Sequence, residues 1–125
     1  MKIRFVVPER FRGIFILVVN PEAEETPVVD GSPVYRIPKE GVLQVRNAAP
    51  FLDWYSKEAS YDNGEPLPAG FGGPVEPYDD KELKLYTVSA DSMGRFYFLV
   101  GTEEDLAEVI KTHARLPGSV LPPGL

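Results

Sequence analysis

The sequence contains no cysteine, which excludes disulfide bonds and thiolate zinc sites. Basic residues are also scarce: 13 Lys and Arg stand against 19 Asp and Glu, giving a formal net charge of −6. A nucleic-acid interface needs cations to neutralise phosphates, so we expect no nucleic-acid partner. The acidic balance also disfavours docking on anionic lipid.

Long hydrophobic runs are missing as well. Ile14–Val19 is too short to span a bilayer, and the apolar part of Met1–Val7 is too short for the core of a signal peptide. The sequence therefore predicts no membrane span. It leaves the compartment open between the cytoplasm and export followed by removal of a signal, and a chain without cysteine fits either.

Proline and glycine are abundant, with 13 Pro and 11 Gly in 125 residues. Each Pro removes a backbone donor and interrupts a helix, so this composition favours short strands and loops over a helical bundle. A chain of this length fits one domain with a real core. The segments with strand periodicity or strand-like composition are Lys2–Val7, Ile14–Val19, Val34–Ile37, Val42–Arg46, Leu83–Ala90 and Arg95–Gly101.

These segments predict a mainly β fold. We expect a β-sandwich of the prealbumin or immunoglobulin kind with about six to seven short antiparallel strands and one C-terminal α-helix. Residues 1–116 would form the single domain, with the helix at about 103–115, and residues 117–125 a Pro/Gly tail. An open sheet covered by one helix is the nearest alternative.

Chain reversals indicate which strands pair. The turn at residues 8–13 predicts an antiparallel pair of the first two strands, and Pro38–Gly41 has the composition of a hairpin turn. Asp91–Gly94 has the same character, with Gly at the position that needs a positive φ. Phe51–Glu58 fits either a short helical turn or an irregular strand.

The C-terminal helix has its own start signal. Thr102-Glu103-Glu104-Asp105 resembles a capping box with Asp in place of the usual Glu or Gln. An apolar stripe follows at Leu106, Val109 and Ile110, continued by His113. We expect the three stripe residues to be buried and Glu103, Glu104 and Lys111 to be exposed.

Two stretches carry a resemblance to a known family. Phe5–Ile16 has a strand ending in Pro, then an aromatic-x-Gly turn and a second hydrophobic strand, and Tyr35–Leu43 holds a second signature. The hairpin ending at Phe96–Thr102 also fits. The chain thereby resembles a family of small uncharacterised bacterial proteins. The resemblance implies a sandwich similar to prealbumin-like or carboxypeptidase-regulatory modules, and often export or a lipid anchor. It implies no catalytic residues, and the chain differs from the family in lacking a lipobox Cys.

Aromatic residues beside the Gly/Pro-rich segment 60–80 are the best recognition candidates. Trp54 and Tyr55 precede this segment, and aromatic side chains next to loops often contact partners or sugars. The alternative is that Phe51 and Trp54 simply cover the edge of the core. The predicted binding residues are Trp54, Tyr55, Tyr61, Phe71 and Tyr78.

Catalytic and metal-binding patterns are weaker. His113 is the only histidine and has no Ser or Asp partner marked by the sequence, so packing or capping is its favoured role. Asp79 and Asp80, with Glu76 and Glu82, lack the spacing of a calcium loop. The carboxylates of the segment 20–31 lack it too, and both groups are interpreted as solvated acidic loops. The sequence therefore predicts no catalytic residue, no metal and no cofactor.

Three functions fit these features. The first is a non-enzymatic binding or surface domain, monomeric or weakly homo-oligomeric, whose loops contact a protein partner from a β-sandwich scaffold. The second is an intracellular acidic partner, of the immunity or inhibitor kind, that neutralises a basic effector. The third is a small hydrolase that uses carboxylates or His113.

Overall fold

The computed structural model describes residues 2–47, 49–51, 55–70, 81–90 and 94–114, without the side chains of residues 50, 113 and 114. Over these ranges the chain forms nine strands, one short 3-10 helix and one α-helix. The strands are β1 Lys2–Val7, β2 Gly13–Val19, β3 Val28–Val29, β4 Ser32–Arg36, β5 Val42–Val45, β6 Ser56–Tyr61, β7 Pro66–Leu67, β8 Lys84–Ala90 and β9 Arg95–Gly101; the 3-10 helix is Ala49–Phe51 and the helix α1 is Glu103–Ala114. The predicted mainly β fold with one C-terminal helix is confirmed.

The strands form two mixed sheets. One has five strands in the order β3-β4-β1-β6-β7, and the other has four in the order β5-β2-β9-β8. The expected all-antiparallel arrangement is wrong, because β1 runs parallel to both β4 and β6, and β2 runs parallel to β5. The segment that sequence periodicity left undecided, Phe51–Glu58, contains the end of the 3-10 helix and the start of β6.

Two predicted strand pairs do not form. β1 and β2 lie in different sheets, and so do β4 and β5. The turns themselves are present: the Phe11 N–H donates to the Pro8 carbonyl and the Gly41 N–H to the Pro38 carbonyl, each at 2.9 Å. A turn fixes a local reversal of the chain but not whether the next strand hydrogen-bonds to the previous one. Here both turns carry the chain from one sheet to the other.

The hairpin of β8 and β9 is confirmed. Its strands pair antiparallel from Lys84 opposite Gly101 to Ala90 opposite Phe96, with an irregularity between Thr87 and Ser89. Gly94 has the expected positive φ of 79°. The other residues of the predicted turn, 91–93, lie outside the described residues.

Side chains from both sheets meet in one apolar cluster. Phe5 of β1 is fully buried near its centre, with ring centroids 4.9 Å from Phe98 and 5.6 Å from Phe15. Burial of these large rings is the main source of stability in a chain of this size. The buried members are Ile3, Phe5, Val7, Phe15, Leu17, Tyr35, Ile37, Val45, Ala59, Leu67, Leu85, Phe98 and Val100.

The helix α1 packs on the other face of the four-stranded sheet. Leu106 is 4% exposed and forms a second cluster with Tyr86 and Leu99, against which Val109 and Ile110 pack. Val109 and Ile110 are half-buried rather than buried, and Glu103 is half-buried rather than exposed. A single helix lying on an outer sheet face buries only the centre of its apolar stripe, which explains both differences. Glu104 and Lys111 are exposed, as expected.

The predicted capping box is present at the start of α1. The Thr102 N–H donates to Asp105 Oδ2 at 3.0 Å, and the Asp105 N–H donates to Thr102 Oγ1 at 3.3 Å. Arg12, from the turn before β2, adds a salt bridge of 2.7 Å to the same carboxylate oxygen. The helix start is thereby attached to the turn between the two sheets.

Two segments named in the sequence analysis are not among the described residues. The predicted tail, residues 117–125, lies outside the described residues, as does the segment 71–80. Among the helices that the structure describes, none is both long and apolar enough to cross a membrane.

Candidate functional site

Two of the five aromatic residues predicted to bind a partner lie in the described ranges. Tyr55, just before β6, is half-buried, and its ring meets the Phe51 ring edge-on at 5.7 Å. Burial raises the pKa of Tyr55, and its hydrogen bond with Thr87 acts in the opposite direction. Tyr55 therefore covers the edge of the core. Trp54, Phe71 and Tyr78 lie outside the described residues.

Tyr61 is the last residue of β6 and packs against the core cluster. Burial, and to a lesser degree the Glu65 carboxylate, raises the pKa of Tyr61. Because a strand rises about 3.3 Å per residue, Tyr55 and Tyr61 lie roughly 20 Å apart at opposite ends of β6. A contact role for the five aromatic residues stays a prediction.

Only some of the residues considered for catalysis and metal binding lie in the described ranges. Asp79, Asp80 and the side chain of His113 lie outside the described residues. Within the ranges that the structure describes, no three His, Asp or Glu side chains are grouped so that they could hold a metal ion. Glu82 is described, and one of its carboxylate oxygens lies 4.0 Å from Nζ of the half-buried Lys84.

The two sheets are joined on one side of the molecule. Ala69, just after β7, forms a bridge with Leu85 of β8. The Leu85 N–H donates to the Pro68 carbonyl and the Gly70 N–H donates to the Leu85 carbonyl, both at 2.8 Å. Gly70 lies so close to the Tyr86 ring that a Cβ would overlap it. Backbone hydrogen bonds and close packing therefore seal this side.

The opposite side is open. There β5 ends the four-stranded sheet and the β3–β4 hairpin ends the five-stranded sheet, and no pairing between them occurs in the described chain. Two adjoining hollows of about 380 and 400 Å³ lie between these edges and share Glu25, Thr26 and Tyr35. We call them together the cleft. Its lining residues are Ala23, Glu24, Glu25, Thr26, Pro27, Val28, Gly31, Pro33, Val34, Tyr35, Arg36, Leu43, Gln44, Val45, Arg46 and Asn47.

The floor of the cleft is apolar and fixed. Tyr35, only 2% exposed, has its ring 5.7 Å from the Phe5 ring and 5.3 Å from the Phe51 ring. Its hydroxyl forms a hydrogen bond with the Thr26 side chain, while burial is the larger effect and raises the pKa of Tyr35. Val45, 1% exposed, extends the floor toward β5. A ligand entering here meets apolar surface already in place.

The segment 20–27 forms one wall of the cleft and is anchored to the end of β5. The Asn20 N–H donates to the Val45 carbonyl at 2.7 Å, and Asn20 Nδ2 donates to Gln44 Oε1 at 2.7 Å. Arg46 holds the middle of the segment: its Nε donates to the Ala23 carbonyl and its Nη1 to Glu25 Oε1, both at 3.0 Å. These bonds hold the wall at a set distance from the floor.

Charge is distributed unevenly around the cleft. The segment 20–31 has four carboxylates, Glu22, Glu24, Glu25 and Asp30, and neither Lys nor Arg. Arg46 balances Glu25 through its salt bridge, and Arg36 lines the cleft from the far wall on β4. Among the lining residues Glu24 and Glu25 are thus offset by Arg36 and Arg46, and the acidic excess comes from the rest of the segment 20–31, at Glu22 and Asp30.

Exposed apolar side chains also concentrate here. Among the described residues, the exposed large hydrophobic side chains are Val28 at 66%, Val29 at 47% and Val42 at 45%. They belong to β3 and β5, the two edge strands of the open side. Apolar residues on unpaired strand edges are the usual mark of a surface that pairs with another chain.

Comparisons with known proteins add no assignment to this geometry. No family model, no curated protein and no solved structure matches the chain. The cleft is taken as the candidate site because it combines a hollow, a fixed apolar floor and unpaired strand edges.

The sequence contained one signal for this site that the strand prediction missed. Asp30-Gly31 between Val28-Val29 and Ser32 is the dipeptide of a two-residue hairpin, and both residues have the positive φ that such a turn requires, 51° and 79°. It places β3 beside β4 and so defines one edge of the cleft. No short-range pattern marked Tyr35 or Arg46, because their roles depend on contacts between distant segments.

Proposed function

We propose that the chain is a non-enzymatic binding domain and that the cleft on the open side is its contact surface for a protein partner. The observation that carries this proposal is the coincidence of an apolar hollow with two unpaired strand edges. A groove of several hundred Å³ is large enough to receive side chains of a partner. The two sheets supply a rigid scaffold and the segment 20–27 supplies one wall of the cleft, and contact residues on loops held by a rigid scaffold are common in β proteins.

The anchoring of the cleft supports this proposal. Binding costs less free energy when the contacting groups are already ordered. Tyr35 is fixed by its ring contacts and by Thr26, and the wall is fixed by Arg46 and Asn20. A partner would therefore order few side chains of this chain on binding.

We also propose that the two sheets form a sandwich of the prealbumin kind. Support comes from the single core cluster that receives side chains from both sheets. Under this proposal the parallel pairs of β1 and β2 are variations on a sandwich whose sealed side is the Ala69–Leu85 bridge.

A second candidate function is favoured by the net charge. A chain of net charge −6, with four carboxylates in the segment 20–31, would attract a basic target at long range, as an inhibitor of a cationic effector does. Under this candidate the association rate with such a target falls steeply as salt is raised. An association rate that does not change with salt concentration would rule out this candidate function.

The binding proposal is tested with a matched pair of variants. Glu22 and Glu24 are exposed carboxylates of the same segment, but only Glu24 lines the cleft. A random twelve-residue peptide library displayed on phage is selected on the immobilised wild-type chain, on Glu24→Trp and on Glu22→Trp. We expect peptides that bind the wild type and Glu22→Trp and are lost on Glu24→Trp, because the added indole fills the hollow.

Equal recovery on all three proteins would place the contact surface elsewhere. Failure to enrich any peptide on the wild-type chain would count against a peptide-binding cleft altogether. Far-UV circular dichroism of both variants confirms that each is folded before selection.

A further inference from the structure

We propose that β5 pairs through its backbone with an extended, positively charged peptide segment of the partner protein, which adds a fifth strand to the four-stranded sheet. This inference rests on the proposed function and specifies how the cleft binds and what it binds. It is carried by the hydrogen-bonding of β5, the faces on which its side chains lie, and the charge beside it.

The backbone of β5 is half paired. β5 is parallel to β2, and the ladder between them includes the Ile16 N–H donating to the Gly41 carbonyl and the Asn20 N–H donating to the Val45 carbonyl, both at 2.7 Å. Since alternate residues of a strand turn their backbone groups to opposite sides, Val42 and Gln44 direct theirs away from β2. In the described chain β5 is an edge strand with β2 as its one neighbour, so these four groups have no strand to pair with.

Nothing in the sequence of β5 discourages pairing. Native edge strands are commonly protected by Lys, Pro or a bulge, whereas β5 reads Val-Leu-Gln-Val and pairs with β2 without a register shift. Val42 is 45% exposed on this edge. The strand is thus an unprotected template for addition of another strand.

The side-chain faces of β5 define the apolar part of the peptide. Leu43 and Val45 lie opposite Leu17 and Val19 of β2, on the face that joins the core and the cleft. In an antiparallel pair, directly opposed residues share a face, so a peptide residue opposite Leu43 points its side chain into the cleft and should be large and apolar. The next residue lies opposite exposed Val42 and should be β-branched.

Charge defines the flanks of the peptide. The segment 20–31 beside the cleft has four carboxylates and neither Lys nor Arg; of these, Glu24 and Glu25 line the cleft, with Glu25 in a salt bridge to Arg46. Exposed Glu40 lies in the turn just before β5. A basic residue two positions beyond the β-branched residue would extend past the start of β5, toward the turn that carries Glu40. A basic residue at the other end would lie on the cleft face, toward the wall that carries Glu24. Peptides with acidic flanks would be repelled by the same groups.

The probe that follows from this register is Ac-Lys-Thr-Leu-Val-Thr-Lys-NH2, with Ac-Glu-Thr-Leu-Val-Thr-Glu-NH2 as its acidic counterpart. Binding to the full chain is measured by titration of its ¹H–¹⁵N correlation spectrum. Gln44→Pro removes the outward N–H without touching the ladder to β2, whereas Gln44→Ala removes the same side chain and keeps the N–H. Circular dichroism checks that both variants fold.

We expect the basic probe to shift the amides of Val42, Leu43 and Gln44, and Gln44→Pro to bind it about fivefold or more weakly than Gln44→Ala, as loss of one backbone hydrogen bond requires. Two N-methylated probes give a test that does not depend on the variants. Methylation of the first Thr and the Val, whose amides face β5, should abolish binding, and methylation of the Leu and the second Thr should not.

The outcomes separate this inference from the proposed function. Shifts at the cleft that are the same for Gln44→Pro and Gln44→Ala, and for both methylated probes, overturn strand addition but keep a binding cleft. Tighter binding of the acidic probe overturns the charge assignment. Strand addition is also overturned if the β5 amide signals do not shift at millimolar probe. Self-association of the free chain through β5 that Gln44→Pro abolishes overturns it as well. In either case the phage selection on Glu24→Trp decides the proposed function separately.

Discussion

Asp105 stabilises the chain by joining the start of α1 to the turn before β2, and replacing it gives a quantitative test of the fold. A single oxygen, Oδ2, accepts from the Thr102 N–H at 3.0 Å, from Arg12 Nε at 2.9 Å and from Arg12 Nη2 at 2.7 Å. Loss of such a cap costs about 1 kcal/mol, within a range of about 0.5–2. The ion pair adds up to about 1 kcal/mol, because both side chains remain partly in water.

We therefore expect Asp105→Ala to lower the free energy of unfolding at pH 7 by about 0.5–3 kcal/mol, the sum of the cap and ion-pair contributions. Asp105→Asn should lose less, because its amide oxygen still accepts from the Thr102 N–H. Glu104→Ala is the control in the same helical turn: its pair with Lys81 is 3.7 Å long and well exposed, so it should change stability by less than about 0.5 kcal/mol. Urea denaturation followed by far-UV circular dichroism measures all three.

The pH dependence of stability tests the role of the Asp105 carboxylate independently. Burial alone would raise the pKa of Asp105, but the Thr102 N–H and the Arg12 guanidinium together lower it below its usual value of 3.8. A carboxylate with a lowered folded-state pKa stabilises fully above its unfolded pKa and loses that effect as pH falls through the folded pKa. The gap between wild type and Asp105→Asn should thus be constant from pH 7 to about pH 5 and then shrink below about pH 4. A gap that widens on acidification, or an Asp105→Ala variant as stable as wild type, refutes this account of the helix start.

Three further changes test other parts of the structure. Phe5→Ala should cost about 3–5 kcal/mol in urea denaturation, because the ring is fully buried among four other aromatic rings; a cost under about 1 kcal/mol would contradict a shared core. Gly31→Ala should cost about 1 kcal/mol and Gly31→Asn less, because φ is 79° with open space around the Cβ position; equal costs would contradict the turn. Burial lowers the pKa of Lys57, because the charged amine is poorly solvated in the folded chain. The free energy of unfolding of Lys57→Met should therefore exceed that of wild type most below this lowered pKa, and the difference should shrink as pH rises toward 10.5. A difference that grows with pH would contradict burial of the amine.

Local patterns predicted the elements that depend on neighbouring residues. The β8–β9 hairpin and the start of α1 were both read from the sequence, because turn residues and the Thr102–Asp105 box act within a few positions of one another. The central apolar residue of the helix, Leu106, is buried as its spacing indicated. Its neighbours Val109 and Ile110 are less covered because only one sheet face lies beneath them.

Strand partners could not be predicted in the same way. The turn at Pro38–Gly41 has the hydrogen bond of a tight turn, yet β4 and β5 enter different sheets. Whether two successive strands pair or pack across the core depends on burial summed over the whole chain. The sequence around the turn is compatible with both outcomes. The parallel pairs of β1 are non-local contacts of the same kind.

The cleft is formed by those same non-local contacts, and local sequence patterns therefore did not predict it. The aromatic pattern points to Tyr55 and Tyr61, which pack against the core cluster away from the cleft and whose contact role stays a prediction. The Asp30-Gly31 turn and the acidic segment before it were visible in the sequence. Their position opposite β5 was not, since it requires the chain to cross between the sheets.

Amide hydrogen exchange at β5 shows whether a peptide strand adds to this edge of the sheet. In the free chain the amides of Val42 and Gln44, which face outward, should exchange quickly, and those of Leu43 and Val45, which bond to β2, should be protected. Addition of Ac-Lys-Thr-Leu-Val-Thr-Lys-NH2 should protect Val42 and Gln44 and leave the other two unchanged. Exchange at Val42 and Gln44 that stays fast with the cleft saturated would contradict the addition of a strand to β5.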